Sequence, residues 1–246
     1  MQDPGVLVLF DIDGTLVLTG GAGVQALERA FHEALGLARA CEALDTGGKT
    51  DRAIVREIAT RRLGRAASDA EHDHVIEAYL RHLAELVPAS PTYRVLPGVE
   101  GAIAAAEAAG CAIGLATGNV ARAARIKLER ADLWRRFPFG GFGCDAEDRG
   151  ELVGHGIRRG EAHAGRPYPR TDVVVVGDTT RDIAAARACG AVAVAVATGA
   201  QDVATLRAAG ADVVFATLDE WPAWLAQRAR GDVPATSTAS NGATSP

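Results

Sequence analysis

Residues Val6-Leu7-Val8-Leu9-Phe10 form an unbroken apolar run that stops at Asp11. Five residues are too few for a helix, and a run without a polar position has no face to offer to water, so it predicts a strand buried on both sides. Strands of that kind belong to parallel sheets covered by helices, and in open sheets of this class ligands bind in the crevice beyond the carboxyl ends of the strands. Directly beyond this one stand Asp11, Asp13, Gly14 and Thr15. With Gly14 free to turn, the chain curls so that Asp11 and both the carboxylate and the carbonyl of Asp13 face one small volume. Two acids so close repel and raise each other's pKa unless a cation is near, and a hard divalent ion such as Mg²⁺ suits oxygen ligands of this kind. Asp-x-Asp-Gly also occurs in solvated turns, so the rest of the chain decides.

After Leu16-Val17-Leu18 comes a small-residue link, Thr19-Gly20-Gly21, fit to serve as a hinge. Three apolar sets then recur at helical spacing: Ala26, Leu27, Ala30, Phe31; Ile54, Val55, Ile58, Leu63; and Val75, Ile76, Tyr79, Leu80, Leu83, Leu86. No strand signal interrupts them, which predicts an all-helical insertion over residues 19–91, placed as a lid over the strand-end crevice. Its loop Thr46-Gly47-Gly48-Lys49-Thr50-Asp51 offers Thr50 or Asp51 as a helix cap. Lys49 either reaches an anionic substrate or is a solvated turn residue. Pro88 to Pro97 is expected to be an extended return link, and Pro97-Gly98 to open a helix running to about Ala109.

From there short apolar runs alternate with helical segments: Ala112–Ala116, Phe139–Phe142, Val173–Val176, Val192–Val196 and Val213–Phe215. The expected architecture is α/β, a Rossmann-like parallel sheet flanked by helices (residues 1–18 and 92–230) with the α-helical domain inserted at 19–91. The tail, 231–246, runs into A-T-S-T-A-S-N-G-A-T-S-P without a large apolar residue and is expected to be disordered. A net charge of −5 gives no reason to expect a nucleic-acid partner. The apolar runs are too short to span a bilayer, and Met1-Gln-Asp-Pro lacks a basic secretory start, so a cytoplasmic protein without membrane partners is expected. Four scattered cysteines, Cys41, Cys111, Cys144 and Cys189, suggest neither a zinc site nor a disulfide framework, and are expected to be small buried residues. The six histidines, His72 and His74 among them, are expected to be structural or on the surface.

Three strands finish in polar residues. The run from Ala112 ends at Thr117-Gly118-Asn119, where a hydroxyl and the N–H groups opening the next helix could hold anionic oxygens. Val173–Val176 runs into Gly177-Asp178-Thr179-Thr180-Arg181-Asp182. If its strand neighbours the first, Asp178 completes the cation site, with Asp182 one turn on to orient it or a water on the cation.

Asp11-Ile-Asp13-Gly14-Thr15, Thr117-Gly118-Asn119 and Gly177 to Asp182, in that order and each after a buried strand, resemble the haloacid dehalogenase superfamily of phosphohydrolases. The helical insertion is similar to the small α-helical cap of its phosphoglycolate phosphatase-like group. The resemblance implies Asp11 as a nucleophile forming an aspartyl-phosphate, and Asp13 as acid to the leaving alcohol and then base to water. It implies Mg²⁺ held by Asp11, the Asp13 carbonyl and Asp178, and Thr117 holding a phosphoryl oxygen with Gly118 and Asn119 beside it. The expected partner is a small phosphorylated metabolite, and nothing in the residues speaks to oligomeric state.

The chain departs from the family at one place. A lysine usually precedes the helix before the last motif, and here there is none; Lys49 and Lys127 are the only lysines in the chain. Lys127 lies well along the helix after Thr117 and is not expected to reach back. Arg149 matches the usual position best, with Arg158 and Arg159 as runners-up, and arginine keeps the charge while gripping two oxygens at once. Dehalogenating relatives lack an acid two positions after the nucleophile, so Asp13 favours phosphate ester chemistry. A sugar-phosphate mutase uses the same pair, and a non-catalytic binding protein on this fold is the reading from another class.

Overall fold

The computed structural model describes residues 5–230, so the tail expected from 231 lies outside the described residues. In chain order the strands are β1 (Leu7–Phe10), β2 (Val17–Leu18), β3 (Arg94–Val95), β4 (Ala112–Thr117), β5 (Gly140–Phe142), β6 (Val173–Gly177), β7 (Val192–Val196) and β8 (Val213–Phe215). The helices are α1 (Ala22–Leu35), α2 (Asp51–Leu63), α3 (Asp69–Ala89), α4 (Val99–Ala108), α5 (Ala121–Glu129), α6 (Arg149–Ala164), α7 (Thr180–Ala188), α8 (Val203–Ala208) and α9 (Trp221–Ala229). Six strands make one parallel sheet in the order β5-β4-β1-β6-β7-β8. The α/β class is as the apolar runs predict, and β1 lies inside the sheet between β4 and β6.

Alternate residues of β1 serve opposite faces. Val8 and Phe10 pack with Ile103, Leu128 and Trp221, whereas Leu7 and Leu9 pack with Leu152, Ile157 and Ile183. All four β1 side chains are fully buried, each worth about 1.5–3 kcal/mol relative to an exposed position. Close packing brings α6 down onto the sheet. A Cβ on Gly141 of β5 would overlap the Leu152 carbonyl, so glycine there sets how near α6 comes.

Helices α1, α2 and α3 share an apolar cluster of their own, including Phe31, Ile58, Tyr79 and Leu83, which takes in Val120 and Ala123 from the start of α5. Side-chain caps start two of them. Thr50 accepts from the Ala53 amide, and Ser68 with Glu71 forms a capping box.

One expectation for this region needs correction. The segment from Pro88 is not extended throughout, because α3 continues through Pro88 to Ala89; so near the helix end the missing N–H forfeits only a late hydrogen bond, while Leu83 and Val87 stay packed. Arg94–Val95 is a strand, pairing antiparallel with Val17–Leu18, so the two chain segments leading into and out of the helices are bonded to each other. The cysteines also differ from expectation: Cys41 is buried, Cys111 and Cys189 are half-buried and Cys144 is exposed, all four free. No helix among the described residues is long and apolar enough to cross a membrane.

Candidate active site

Register decides what meets at the strand ends. Phe10 lies level with Leu115 of β4 and Val176 of β6, so Asp11 emerges one residue short of the level of Thr117 and Asp178, at the same edge of the sheet. The Asp11 amide donates to the Val176 carbonyl at 2.8 Å, carrying the pairing one residue past β1. Gly14 then adopts φ +83°, which an L side chain rarely tolerates, and a Cβ there would overlap the Asp178 carboxylate. Thr15 Oγ1 donates to Asp178 Oδ1 at 3.2 Å. Carboxylate oxygens of Asp11, Asp178 and Asp182 all lie within 4.8 Å of one another, and all three residues are buried.

So much buried negative charge holds on to protons. Burial, followed by the charges of Asp182 and Asp13, raises Asp11 to about 7 against the pull of Arg149. Burial, with Asp182 and Asp11, raises Asp178 to about 8. Arg149 pairs with Asp11 and Asp182 and not with Asp178, and every donor in the cluster is oxygen. That set fits a hard divalent cation, whose charge would take the place of the missing positive partner. Among the described residues no histidine or cysteine joins a group of this kind.

Arg149 reaches this cluster from the first position of α6. Asp148 caps the helix by accepting from the Glu151 amide at 2.9 Å, so the helix begins at Arg149 itself. Its Nη2 lies 3.2 Å from Asp11 Oδ2, Nε donates to Asp182 Oδ1 at 2.9 Å, and Nη1 donates to the Gly48 carbonyl at 3.0 Å. Arg159 is turned away and grips Asp145, with Nη1 at 2.6 Å from Oδ2. Arg158 lines a separate surface cavity beside Cys189. Asp182 completes a capping box with Thr179 at the head of α7, accepting from its amide and hydroxyl. Both of its oxygens are thus engaged by Arg149 and Thr179, and what it orients is the arginine.

Asp13 belongs to a second cluster. Asn119 Nδ2 donates to Asp13 Oδ2 and to Thr117 Oγ1, at 2.8 Å each. Lys127 Nζ lies 2.6 Å from Asp13 Oδ2 and 2.6 Å from Asn119 Oδ1, which corrects the expectation that this lysine falls short. Helical side chains lean toward the N-terminus, so the stem of Lys127 runs back along α5, and the side chains of Asn119 and Asp13 meet its ammonium there. The signal was present in the sequence. Lys127 shares the buried stripe of α5 with Ala123, Ala124 and Leu128, and a lysine on such a stripe needs an internal partner.

Two of the N–H groups leading into α5 already have partners within the protein. The Asn119 amide donates to Thr117 Oγ1 at 3.3 Å, and the Val120 amide to Asp51 Oδ2 at 2.8 Å. Asp51 comes from the head of α2, is buried, and is raised to about 6 by burial against the pull of Lys127. Its own amide donates to the Gly118 carbonyl at 2.8 Å, laying the 46–51 loop against the strand ends. Sequence spacing could not reveal a cap supplied from 69 residues away. Lys49 stands in the same loop with its Nζ 2.5 Å from Glu57 Oε2, so a carboxylate of α2 already pairs it. Strand-end residues and this loop, with Val24, Leu27, Ile54 and Tyr79, line one cavity of about 430 Å³.

The family model for haloacid dehalogenase-like hydrolases matches residues 6–190. The chain belongs to that family. A relative from Dickeya dadantii (strain 3937), named "Probable phosphatase IndB", is 29% identical over 236 residues, covering 87% of this chain and 90% of its own. Among solved structures, a hydrolase from Pseudomonas syringae matches with TM-score 0.69 and 22% identity over 90% of this chain and 98% of its own. CbbY from Rhodobacter sphaeroides, crystallised with phosphate, matches with TM-score 0.65 and 20% identity over 87% and 95%. At these identities the solved structures establish a shared haloacid dehalogenase-like fold, while the family match makes the chain a hydrolase of that family.

Proposed function

We propose that this hydrolase cleaves a small phosphate monoester with Mg²⁺, through an aspartyl-phosphate on Asp11. The observation that carries the reading is the placement of Asp11 between Arg149 and Asp178, with Asp13 two residues on and turned to the same cavity. Helices α1–α3 act as a cap that closes over the cavity, and the relative named a phosphatase points to the same chemistry. Asp11, the Asp13 carbonyl and Asp178 would hold the cation, which when bound offsets the repulsion between carboxylates and an incoming phosphate.

Asp11 attacks phosphorus while Arg149, charged and nearly buried, faces the phosphoryl oxygens and the nucleophile together. Asp13 gives a proton to the departing alcohol, then takes one from the water that cleaves the acyl phosphate. Thr117 Oγ1 accepts two hydrogen bonds from Asn119, which leaves its proton free for a phosphoryl oxygen. Gly118 and Asn119 shape that side of the pocket, with Lys49 on the rim. The test is phosphate release from a panel of phosphorylated small metabolites, with and without Mg²⁺. Metal-dependent release from at least one of them is expected, and none from any overturns the reading.

A pH effect follows from the crowded carboxylates. Unfolded aspartates titrate near 4, whereas Asp11 and Asp178 are raised to about 7 and about 8. Their protonated forms therefore stabilise the metal-free fold fully below about pH 4, and that contribution is lost as pH rises through 7 and 8. Melting temperature without metal should fall between pH 6 and pH 9. Saturating Mg²⁺ should raise it far more at pH 9 than at pH 6, because protons compete with the cation for the same oxygens. A Mg²⁺-induced shift equal at both pH values overturns the assignment of Asp11 and Asp178 as ligands.

A further inference from the structure

Asp13 is held asymmetrically. Its Oδ2 accepts from Lys127 Nζ at 2.6 Å and Asn119 Nδ2 at 2.8 Å, while among the described residues nothing donates to Oδ1. Both donors are fixed in turn: Lys127 by Asn119 Oδ1, and Asn119 by Thr117 Oγ1. The lysine side chain is 6% exposed and its stem lies along the buried stripe of α5, whereas the Asp13 side chain is 44% exposed at the cavity. A need to pair a buried ammonium does not explain this arrangement. Asp51 is a more deeply buried carboxylate that feels the same charge, yet among the described residues the ion pair of Lys127 is with Asp13.

We infer that Lys127 is a positioning residue for proton transfer: with Asn119 it binds Oδ2 of Asp13 and so dedicates Oδ1 to the leaving alcohol. The inference rests on the phosphohydrolase reading. In the first step a carboxylate oxygen of Asp11 bonds to phosphorus, the bond from phosphorus to the alkoxy oxygen breaks, and the proton on Asp13 Oδ1 moves to that oxygen. In the second step Oδ1 takes a proton from water as the water oxygen bonds to phosphorus, freeing Asp11 and phosphate. Released from Lys127, a half-exposed aspartate turns about its own side-chain bonds, and misplacement by about 1 Å is enough to slow such a transfer a hundredfold.

The experiment exploits leaving groups that differ in their need for a proton. Alkyl alcohols leave poorly without one, while p-nitrophenolate leaves as an anion. For both substrate types kcat/KM covers the transfer to Asp11. Lys127→Met keeps the apolar stem and is expected to lower kcat/KM by about 10²–10³ for the alkyl phosphate turned over fastest in the metabolite panel, within the range for losing general acid catalysis. For p-nitrophenyl phosphate the expected loss is about tenfold or less. Lys127→Gln keeps one donor for Oδ2 and should return the alkyl substrate to within about tenfold of the parent, a rescue that folding or bulk charge does not produce. Equal losses on the two substrates, or a Gln variant no better than Met, overturn the inference. Asp13→Asn separates the two levels. If it shows the leaving-group asymmetry and Lys127→Met does not, the positioning role falls and the phosphohydrolase reading stands. If Asp13→Asn itself shows no asymmetry, the acid role of Asp13 falls and the inference with it.

Discussion

Asp11→Asn should leave a folded protein whose phosphatase turnover is lower by about 10⁵–10⁶, the scale on which loss of a covalent nucleophile is felt. The substitution preserves shape and removes only the attacking oxygen's charge, in a position that is buried and already crowded by Asp178 and Asp182. Metal-free Asp11→Asn should therefore melt no lower than the parent at pH 8, where the parent must keep that carboxylate largely ionised despite its burial. Acid-quenched reactions with labelled substrate should show phosphate covalently held by the parent and none by the variant. Turnover within tenfold of the parent would end the covalent mechanism while leaving the fold untouched.

Arg149→Ala should show the opposite combination, with activity and stability both lost. The guanidinium serves Asp11, Asp182 and the Gly48 carbonyl at once, and so pairs two of the three buried acids. Removing a charge partner of the developing phosphoryl transition state should lower kcat by about 10³. Leaving buried carboxylates unpaired should cost about 3–5 kcal/mol in the absence of metal. Arg149→Lys restores one charge without a fork that spans three acceptors, so kcat is expected between those of the parent and the alanine variant. Arg159→Ala, by contrast, frees Asp145 and the Gly140 carbonyl, neither of them bonded to the buried acids, and should leave kcat within about twofold. Kinetics and thermal melts on the three variants check the set, and a larger kcat loss in Arg159→Ala than in Arg149→Ala would refute the assignment.

What the residues disclosed in advance follows the range of the forces involved. The sheet was legible because each buried strand announces itself over four or five apolar positions, as in Val6–Phe10 and Val192–Val196, and polar residues at their ends mark one rim. That Asp11, Asp178 and Arg149 meet could be anticipated because their places depend on strand register and on a helix start, both local properties. The ribbon of Val17–Leu18 with Arg94–Val95 was not, since two residues show no period. Asp51 and Lys127 were missed or misjudged for a different reason. One caps a helix that it does not belong to, and the other reaches its partner only through the tilt of side chains along α5. Lys49 left two readings open, a reach to substrate or a solvated turn, and the structure pairs it with Glu57, two turns along α2.

The two-residue ribbon has a consequence for how such a hydrolase changes its tastes. By bonding Leu18 to Arg94 it makes everything between them, seen from the sheet, a single loop tied off at its base. Doubling the length of a tied loop adds only about 0.6 kcal/mol of closure entropy. Helices can therefore be lengthened or trimmed above that knot wherever they leave Gly48 and Asp51 on the strand ends, while the acids below keep their spacing.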